Sequence, residues 1–271
     1  MLALPLLSSV AAAAEGVARC QYDLPSDFKL DFRQSHMVHS QLGNDESPTT
    51  TMRIGNVGPN PTTGRMVDLE ISNNSPYTPM HQEKNGLIAS GSMAQINLRA
   101  PQPNEQPGGG DFKHGRIENV EFSFNFIDSE TSEPVELRRF FISFFDFDEG
   151  IGGKGSECIG TKNFDSVHMD ESTEVVMTSP SGAGFHEFCA SKAGKESDNP
   201  SDPLVLNNEQ RRRAILFAFS HSSGFVARLR VKYARPCYCT FLVAMPRPCK
   251  SPQLYLTSSL HSPCWRRCCV Q

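Results

Sequence analysis

Short runs of alternating apolar and polar residues are the feature that most constrains the fold of this 271-residue chain. The clearest run is VEFSFNF, in which Val120, Phe122, Phe124 and Phe126 occupy every second position and polar residues lie between them. Successive side chains of a β-strand point to opposite faces of its sheet. The pattern therefore predicts a strand with one buried face and one solvated face.

Comparable runs recur along the chain and predict about eight strands between Phe28 and Tyr233. They are FKLDF, MVDLEI, AQINL, VEFSFNF, VELRRFFISFFDF, TEVVM, AILFAFS and FVARLRVKY. The segments between them are rich in Gly, Pro, Asn and Ser, and only NNEQRRRA, capped by Asn207 or Asn208, predicts a short helix. Many short strands separated by turns favour an all-β fold, an antiparallel β-sandwich of the jelly-roll or Ig-like kind, although a barrel would give the same pattern.

One of these strands differs from the others because both of its faces are apolar. In RRFFISFFDFDEG, Phe140, Ile142 and Phe144 share one face, while Phe141 and Phe145 share the other. A strand buried on both sides gives this pattern, so we expect it to lie centrally in its sheet, with its outer face covered by a loop or a partner. The short polar connection from VEFSFNF, DSETSEP, predicts that the two strands form a hairpin.

Acidic residues follow the central strand where it leaves the core, and a second acidic segment, ESDNPSDP, occurs later in the chain. Carboxylate and amide oxygens are the ligands that Ca²⁺ prefers in proteins. We take six residues from the two segments as a candidate Ca²⁺ site: Asp146, Asp148, Glu149, Asp198, Asn199 and Asp202. The alternative is that these side chains are solvated or accept hydrogen bonds from turn amides.

The two ends of the chain differ in composition from the predicted sandwich. Residues 1–16 contain an apolar stretch too short to span a bilayer, which fits a secretory signal peptide, although no Lys or Arg precedes it and a buried helix is the alternative. The predicted sandwich covers residues 20–234. Residues 235–271 form a basic tail rich in Cys and Pro, which we expect to be irregular. No other apolar run has the length of a transmembrane segment.

Cysteine content and charge bear on the compartment and the partners. The nine Cys favour disulfides in an exported protein, with one thiol left over and a connectivity that the sequence does not define. All 30 acidic residues precede Lys232, so the main domain is acidic, which disfavours nucleic acid as a partner and suits cations or proteins. The run Arg211–Arg213 is therefore interpreted as a solvated turn. Asn73 begins the single N-glycosylation sequon, which we expect in a loop after MVDLEI.

Several segments, taken in order, resemble an uncharacterised β-sandwich module that recurs in predicted extracellular proteins of microalgae and bacteria. The resemblance spans about Leu30 to Val231, and its most distinctive part is the strand that ends in D-x-D-x-G at Asp146, Asp148 and Gly150. The other segments include MRIGNVG, VDLEISNNSPY, NGLIASGSMAQINL and DNPSDPLVLNNEQRRRAILFAF. The resemblance implies an adhesive or ligand-binding surface domain and carries over no catalytic residues.

These features lead to one main functional hypothesis and two alternatives. The main hypothesis is a secreted, non-catalytic binding or adhesion module, stabilised by Ca²⁺, that recognises an extracellular protein or glycan through its end loops. The first alternative is a polysaccharide hydrolase in which Asp146 or Asp148 pairs with Glu157 or Asp165, since such enzymes use two carboxylates. The second is a structural protein stabilised by Ca²⁺. The chain has 18 Phe against one Trp and five Tyr, and the Phe of the predicted strands occupy core-type positions, so the composition argues against a long sugar-binding cleft.

Overall fold

The computed structural model describes residues 26–44, 47, 50–79, 81–99, 116–149, 155–181, 184–195, 198–233, 238–244 and 253–257. The predicted signal segment, residues 1–16, lies outside these ranges, as does most of the Cys-rich tail. The described residues contain fifteen β-strands, 3-10 helices at Phe32–Gln34 and Gln82–Lys84, and one α-helix, α1 (Asn208–Arg212). Asn207 caps α1, as predicted. In this part of the chain, no helix has the length and apolar character that a bilayer crossing requires.

The strands form two antiparallel sheets. In chain order they are β1 (His36–Ser40), β2 (Thr51–Pro59), β3 (Met66–Asn73), β4 (Gly86–Leu87), β5 (Ala94–Arg99), β6 (Arg116–Asp128), β7 (Leu137–Phe145), β8 (Gly155–Thr161), β9 (Ser166–Asp170), β10 (Val175–Ser181), β11 (Phe185–Ala190), β12 (Ile215–Ser222), β13 (Gly224–Tyr233), β14 (Tyr238–Ala244) and β15 (Gln253–Thr257). The eight-stranded sheet has the order β1-β2-β3-β6-β13-β8-β11-β10, and the seven-stranded sheet has the order β15-β9-β12-β7-β14-β5-β4. The all-β antiparallel sandwich predicted from the sequence is confirmed.

Phenylalanine rings join the two sheets. Phe126 of β6 packs edge-on against Phe140 of β7, with 4.7 Å between ring centroids. Phe219 of β12 stacks on Phe225 of β13 at 4.9 Å. Each pair takes one ring from each sheet, and all four side chains are buried. Burying one such side chain stabilises the fold by roughly 1.5–3 kcal/mol, and edge-on or offset ring pairs add about 0.5–1.5 kcal/mol.

The strand with two apolar faces lies centrally, as predicted. β7 is the fourth of seven strands and pairs with β12 and β14. Phe140 and Phe144 face the other sheet, whereas Phe141, Ser143 and Phe145 on the opposite face are also buried. The Arg139 guanidinium covers part of that outer face, 5.3 Å from the centre of the Phe141 ring. The double apolar pattern therefore reflects cover on both sides of the strand.

Two local predictions are wrong. The strands β6 and β7 do not form a hairpin, because β6 pairs with β3 and β13 in one sheet and β7 belongs to the other. The chain starts a turn, in which the Val135 N–H donates to the Phe126 carbonyl oxygen, and then crosses between the sheets. The segment FKLDF is not a strand either. Its apolar residues Phe28, Leu30 and Phe32 are buried, but Phe32 begins a 3-10 helix.

The predicted domain boundary at residue 234 falls too early. Within the segment expected to be an irregular tail, β14 inserts between β5 and β7, and β15 pairs with β9 at an edge of the same sheet. Val243 and Ala244 of β14 are buried. The backbone of β7 pairs along both of its edges, and β14 supplies one of the two neighbours. The sandwich therefore continues beyond residue 234.

A disulfide crosses the eight-stranded sheet. Cys158 of β8 and Cys189 of β11 are directly opposite each other in the ladder and are bonded to each other. The Arg230 guanidinium contacts both sulfur atoms and donates to a Glu187 carboxylate oxygen at 2.6 Å. Disulfides are typical of proteins from oxidising compartments, and the export expected from the sequence stays a prediction.

The packing between the sheets makes a direct prediction. Phe140→Ala removes a ring that contacts both Phe126 and Phe219, so we expect the unfolding free energy to fall by about 3–5 kcal/mol. Urea denaturation followed by circular dichroism measures this loss. The control Val205→Ala alters a side chain that is 76% exposed and should change stability by less than about 0.5 kcal/mol. A loss below about 1 kcal/mol in Phe140→Ala would contradict the proposed role of the ring.

Candidate functional site

The segment that follows β7 turns sharply and is tied to its surroundings. Asp146 has a φ of 69°, in the left-handed region that Asp tolerates better than most residues. The Phe147 N–H then donates to the Arg213 carbonyl oxygen, and the Glu149 N–H donates to the Lys192 carbonyl oxygen at 2.7 Å. The backbone of these residues is thereby attached to the loops after β11 and before β12. The side chains of Asp146 and Asp148 are held at the end of the sandwich.

A buried arginine organises the second half of the site. Arg213 forms an ion pair with Asp198, and both side chains are almost fully buried. The same guanidinium donates to a Glu174 carboxylate oxygen at 3.0 Å and to the Ala193 carbonyl oxygen at 2.8 Å. Asp198 also accepts the Lys195 N–H at 2.8 Å. Arg213 therefore fixes both the acid and the loop that carries it.

Three carboxylates meet at this point. One oxygen atom each of Asp146, Asp148 and Asp198 lies within 4.8 Å of the other two. Turned so that its amide nitrogen faces the acids, Asn199 donates to Asp146 Oδ1 at 2.9 Å and to Asp198 Oδ1 at 3.1 Å. In the opposite orientation its amide oxygen joins the carboxylate oxygens. The cluster thus offers four oxygen-bearing side chains, and oxygen is the donor that hard cations require.

The charges of the cluster are partly suppressed by its surroundings. Burial raises the pKa of the Asp146 carboxyl to about 7, and repulsion from Asp148 and Asp198 adds to this rise. Burial likewise raises the pKa of Asp148 to about 6, with a further contribution from Asp198. Arg213 opposes both shifts. Near neutral pH the Asp146 and Asp148 carboxyl groups are therefore partly protonated. A bound cation would favour their ionised form.

A glycine allows the carboxylate of Asp148 to approach the neighbouring loop. A methyl group built on Gly194 would lie 1.8 Å from Asp148 Oδ2, which is shorter than any tolerable contact distance. The Gly194 N–H also donates to the Glu149 carbonyl oxygen at 3.1 Å. Without a side chain at this position, the loop after β11 and the segment after β7 pack closely together.

The six residues predicted as Ca²⁺ ligands are only partly brought together. Asp146, Asp148, Asp198 and Asn199 form the cluster described above. Glu149 takes part in this region only through its backbone, which forms a β-bridge with Ala193. The carboxylate of Asp202 instead accepts the Leu204 N–H at 2.8 Å and closes its own turn. The cluster of three acids excludes the side chains of Glu149 and Asp202, and Ca²⁺ binding itself stays a prediction.

The remaining predicted site residues lie elsewhere. Asn73 is the last residue of β3 rather than part of a loop, and its amide donates to the Ser75 carbonyl oxygen at 3.0 Å. Its glycosylation stays a prediction. Of the acids considered for hydrolysis, Glu157 lies opposite the buried Val231 and is itself buried. Asp165 is exposed and accepts a hydrogen bond from Ser220.

Sequence reasoning missed the central role of Arg213. The interpretation of Arg211–Arg213 as a solvated turn is wrong for Arg213, which is 5% exposed. Its position directly before the buried strand AILFAFS was the available signal, because a charge at the edge of a core needs a partner. Asp198 is that partner, but their proximity depends on the folding of the loop between them.

The fold and this cluster define an all-β sandwich with a candidate cation site at one end. No protein-family model and no curated protein matches the chain. Among solved structures, the N-terminal domain of the Streptococcus gordonii adhesin Sgo0707 aligns at 11% identity and a TM-score of 0.45, covering 78% of this chain and 49% of its own. The adhesin domain of PrgB from Enterococcus faecalis aligns at 9% identity and a TM-score of 0.40, covering 72% of this chain and 62% of its own.

The PrgB adhesin domain bound to DNA aligns at 10% identity, with a TM-score of 0.38 and coverages of 71% and 66%. The chain thus spans about half of the Sgo0707 domain and less than two thirds of the first PrgB structure. The resemblance to extracellular modules of microalgae and bacteria stays a prediction.

The raised pKa values predict a pH-dependent stability when a chelator removes divalent cations. Asp146 and Asp148 hold protons in the folded state up to about pH 7 and pH 6, whereas unfolded Asp loses its proton near pH 3.8. The folded state therefore binds more protons, and the unfolding free energy falls as the pH rises from about 4 to about 7. Asp146→Asn should remove part of this fall and be about 1–3 kcal/mol more stable than the wild type at about pH 8.

Urea denaturation at a series of pH values in EDTA measures this effect. Asp202→Asn, which changes an acid outside the cluster, is the matched control and should keep the wild-type pH dependence. An identical pH dependence in Asp146→Asn and the wild type would show that Asp146 is not the titrating group.

Removing the buried arginine has the opposite expected effect. Arg213→Gln leaves Asp198 buried without its counter-charge, so we expect a loss of about 3–5 kcal/mol in unfolding free energy at neutral pH. The control Arg212→Gln changes a neighbouring, less buried arginine and should cost less than about 1 kcal/mol. Equal losses in the two variants, measured by urea denaturation, would rule out a special role for Arg213.

Proposed function

We propose that the protein is a non-catalytic, extracellular binding or adhesion module whose end loops recognise a protein or glycan and are stabilised by Ca²⁺. The observation that carries this proposal is the meeting of Asp146, Asp148 and Asp198 within 4.8 Å at the end of the sandwich. The acids come from two loops that Arg213 ties together. Loops held by a rigid β-framework are the usual location of binding residues.

Calcium suits this cluster on electrostatic grounds. Three carboxylates face one guanidinium, so the cluster carries excess negative charge when it is fully ionised. Ca²⁺ takes six to eight oxygen ligands in flexible geometry, and Asp146, Asp148, Asp198 and the Asn199 amide oxygen would supply part of that set. Because Arg213 repels a cation, we expect weak binding, with a Kd of about 10⁻⁴ to 10⁻³ M, as in other extracellular modules.

The disulfide and the charge balance support the expected location and partner class. Cys158–Cys189 is of the kind that forms in oxidising, extracellular conditions. The net charge of −4 disfavours a polyanionic nucleic acid as a partner. We therefore expect a protein or glycan partner, and we expect no binding to DNA at physiological salt.

The polysaccharide hydrolase is the second candidate, favoured by the pKa of Asp146 at about 7, which suits a general acid. Hydrolysis needs two carboxylates about 5–9.5 Å apart across an open cleft. Asp165 is bonded to Ser220, whereas the cluster lies beyond the Ile215 end of β12, about 17 Å away along the strand. Glu157 lies closer to the cluster than Asp165 does, but its side chain is buried. The geometry therefore favours binding over hydrolysis.

The calcium proposal is tested by thermal melting in EGTA and in about 5 mM CaCl₂ at pH 8. At about ten times Kd, binding stabilises the folded state by about 1.4 kcal/mol, so the Tm should rise by about 3–5 °C. The rise should vanish at pH 5, where Asp146 and Asp148 hold protons. It should also vanish in the variant that combines Asp146→Asn with Asp148→Asn and persist in Asp202→Asn. An unchanged Tm in wild-type protein at pH 8 would exclude the calcium role.

Partner recognition is tested separately on arrays of glycans and extracellular matrix proteins, with calcium and with EGTA. We expect binding to at least one component, weakened in EGTA as the end loops loosen. Release of reducing sugars from a polysaccharide, lost in Asp146→Asn, would instead establish the hydrolase. Binding to DNA alone would contradict the expected partner class.

A further inference from the structure

A small polar pocket lies at the opposite end of the sandwich from the acidic cluster. It has a volume of about 280 Å³ and is lined by the β12–β13 turn, the loop after β8 and the outer side of β6. Strand β12 runs from Ile215, opposite Phe144 and near the acids, to Ser222 at the pocket. Its length places the two sites roughly 23 Å apart. The volume is close to the lower limit for pockets that hold small ligands.

The walls of this pocket are held in place by the backbone. A methyl group on Gly224 would lie 2.1 Å from the Phe124 carbonyl oxygen, so only glycine allows the β12–β13 turn to approach β6 this closely. The Phe126 N–H donates to the Ser223 carbonyl oxygen at 2.7 Å. On the other side, Asn163 has a left-handed φ of 58°, which fixes the direction of its loop. Because the walls are already fixed, the pocket loses little conformational entropy when a ligand binds.

The pocket presents polar groups that the fold itself does not use. The side chains of Asn125, Asn163 and Ser223 make no hydrogen bond to any other described residue, although all three line the pocket. Amide and hydroxyl groups both donate and accept, which suits the hydroxyl groups of a sugar. Among the described residues of the lining, Lys162 alone is charged, and its ammonium group lies 4.8 Å from the centre of the Phe185 ring. An anionic group on the ligand would complement that charge.

We propose that this pocket binds a single acidic sugar residue, a carboxylate-bearing unit of a glycan, with Lys162 holding the carboxylate and Asn125, Asn163 and Ser223 holding the hydroxyl groups. The inference rests on the proposed binding function and narrows its partner to an acidic glycan. It adds a calcium-independent contact for such a glycan at the opposite end of the sandwich, where none of the described lining residues carries a carboxylate that would repel the ligand.

Titration of the intact protein with simple sugars, followed by ¹⁵N–¹H NMR and calorimetry, tests this assignment. The probes are methyl glucuronide, methyl galacturonide and N-acetylneuraminate, with methyl glucoside and methyl galactoside as neutral counterparts and acetate and phosphate as bare anions. We expect the acidic sugars to shift the amide signals around Gly224 and Asn163 and to bind about tenfold more tightly than neutral sugars or bare anions.

Two lysine variants provide the matched comparison. Lys162→Gln should reduce the affinity for acidic sugars to that for neutral ones, whereas Lys192→Gln, the same change at an exposed position beside the acidic cluster, should leave it unchanged. Asn125→Ala should weaken both classes of sugar. Both lysine variants should keep the wild-type Tm. Equal binding of neutral and acidic sugars, equally tight binding of phosphate or acetate, or an equal effect of both lysine variants would overturn the assignment.

Failure of the acidic-sugar assignment can be distinguished from failure of the proposed binding function. The titrations are done in EGTA, since the pocket shares no residue with the acidic cluster. Absence of sugar binding together with recognition of a protein on the arrays would refute the acidic-glycan assignment and leave the binding function intact. Absence of any protein partner on the arrays, with sugar binding retained at the pocket, would refute the protein-partner branch alone.

Discussion

The interlocking of phenylalanine rings between the two sheets is the interaction on which the rest of the structure depends. Phe126 and Phe140, and Phe219 and Phe225, fix the sheets face to face, and Phe188 and Phe217 extend the same contact between β11 and β12 at 5.5 Å. The ends of the strands are thereby held at defined positions. Because the acidic cluster and the polar pocket are built from residues at those ends, their geometry follows from this packing.

Alternation in the sequence identified seven of the fifteen described strands, namely β3, β5, β6, β7, β10, β12 and β13, and the buried faces of the clearest of them. In VEFSFNF all four apolar residues that share a face are buried, and the double apolar pattern of β7 correctly indicated a central strand. Pairing partners could not be predicted in the same way. Whether β7 lies beside β6 or across from it depends on β12 and β14, which are distant in sequence, and a short polar connection is compatible with either arrangement. The strand β14 was missed because it lies among cysteines, prolines and basic residues.

The candidate site was predictable in part for similar reasons. Two features of the sequence predicted four residues that meet in space. They are the spacing of Asp146 and Asp148 after an apolar strand and the second acidic segment around Asp198. The exclusion of the Asp202 side chain was not predictable, since it depends on a turn in which the carboxylate accepts the Leu204 N–H. The buried Arg213 was also out of reach, because a run of three arginines normally indicates solvent. Burial of one member of such a run is decided by the tertiary contacts around it.

The position of β14 has a consequence for the order in which the fold is completed. The strand lies beside β7 near the middle of its sheet, yet it is made after almost every other strand. While the ribosome is still translating this region, β7 has an open hydrogen-bonding edge between two apolar faces, the kind of surface that recruits other extended chains. That edge of β7 stays uncovered until β14 has been made, and a folding helper that binds extended segments would protect it during that interval.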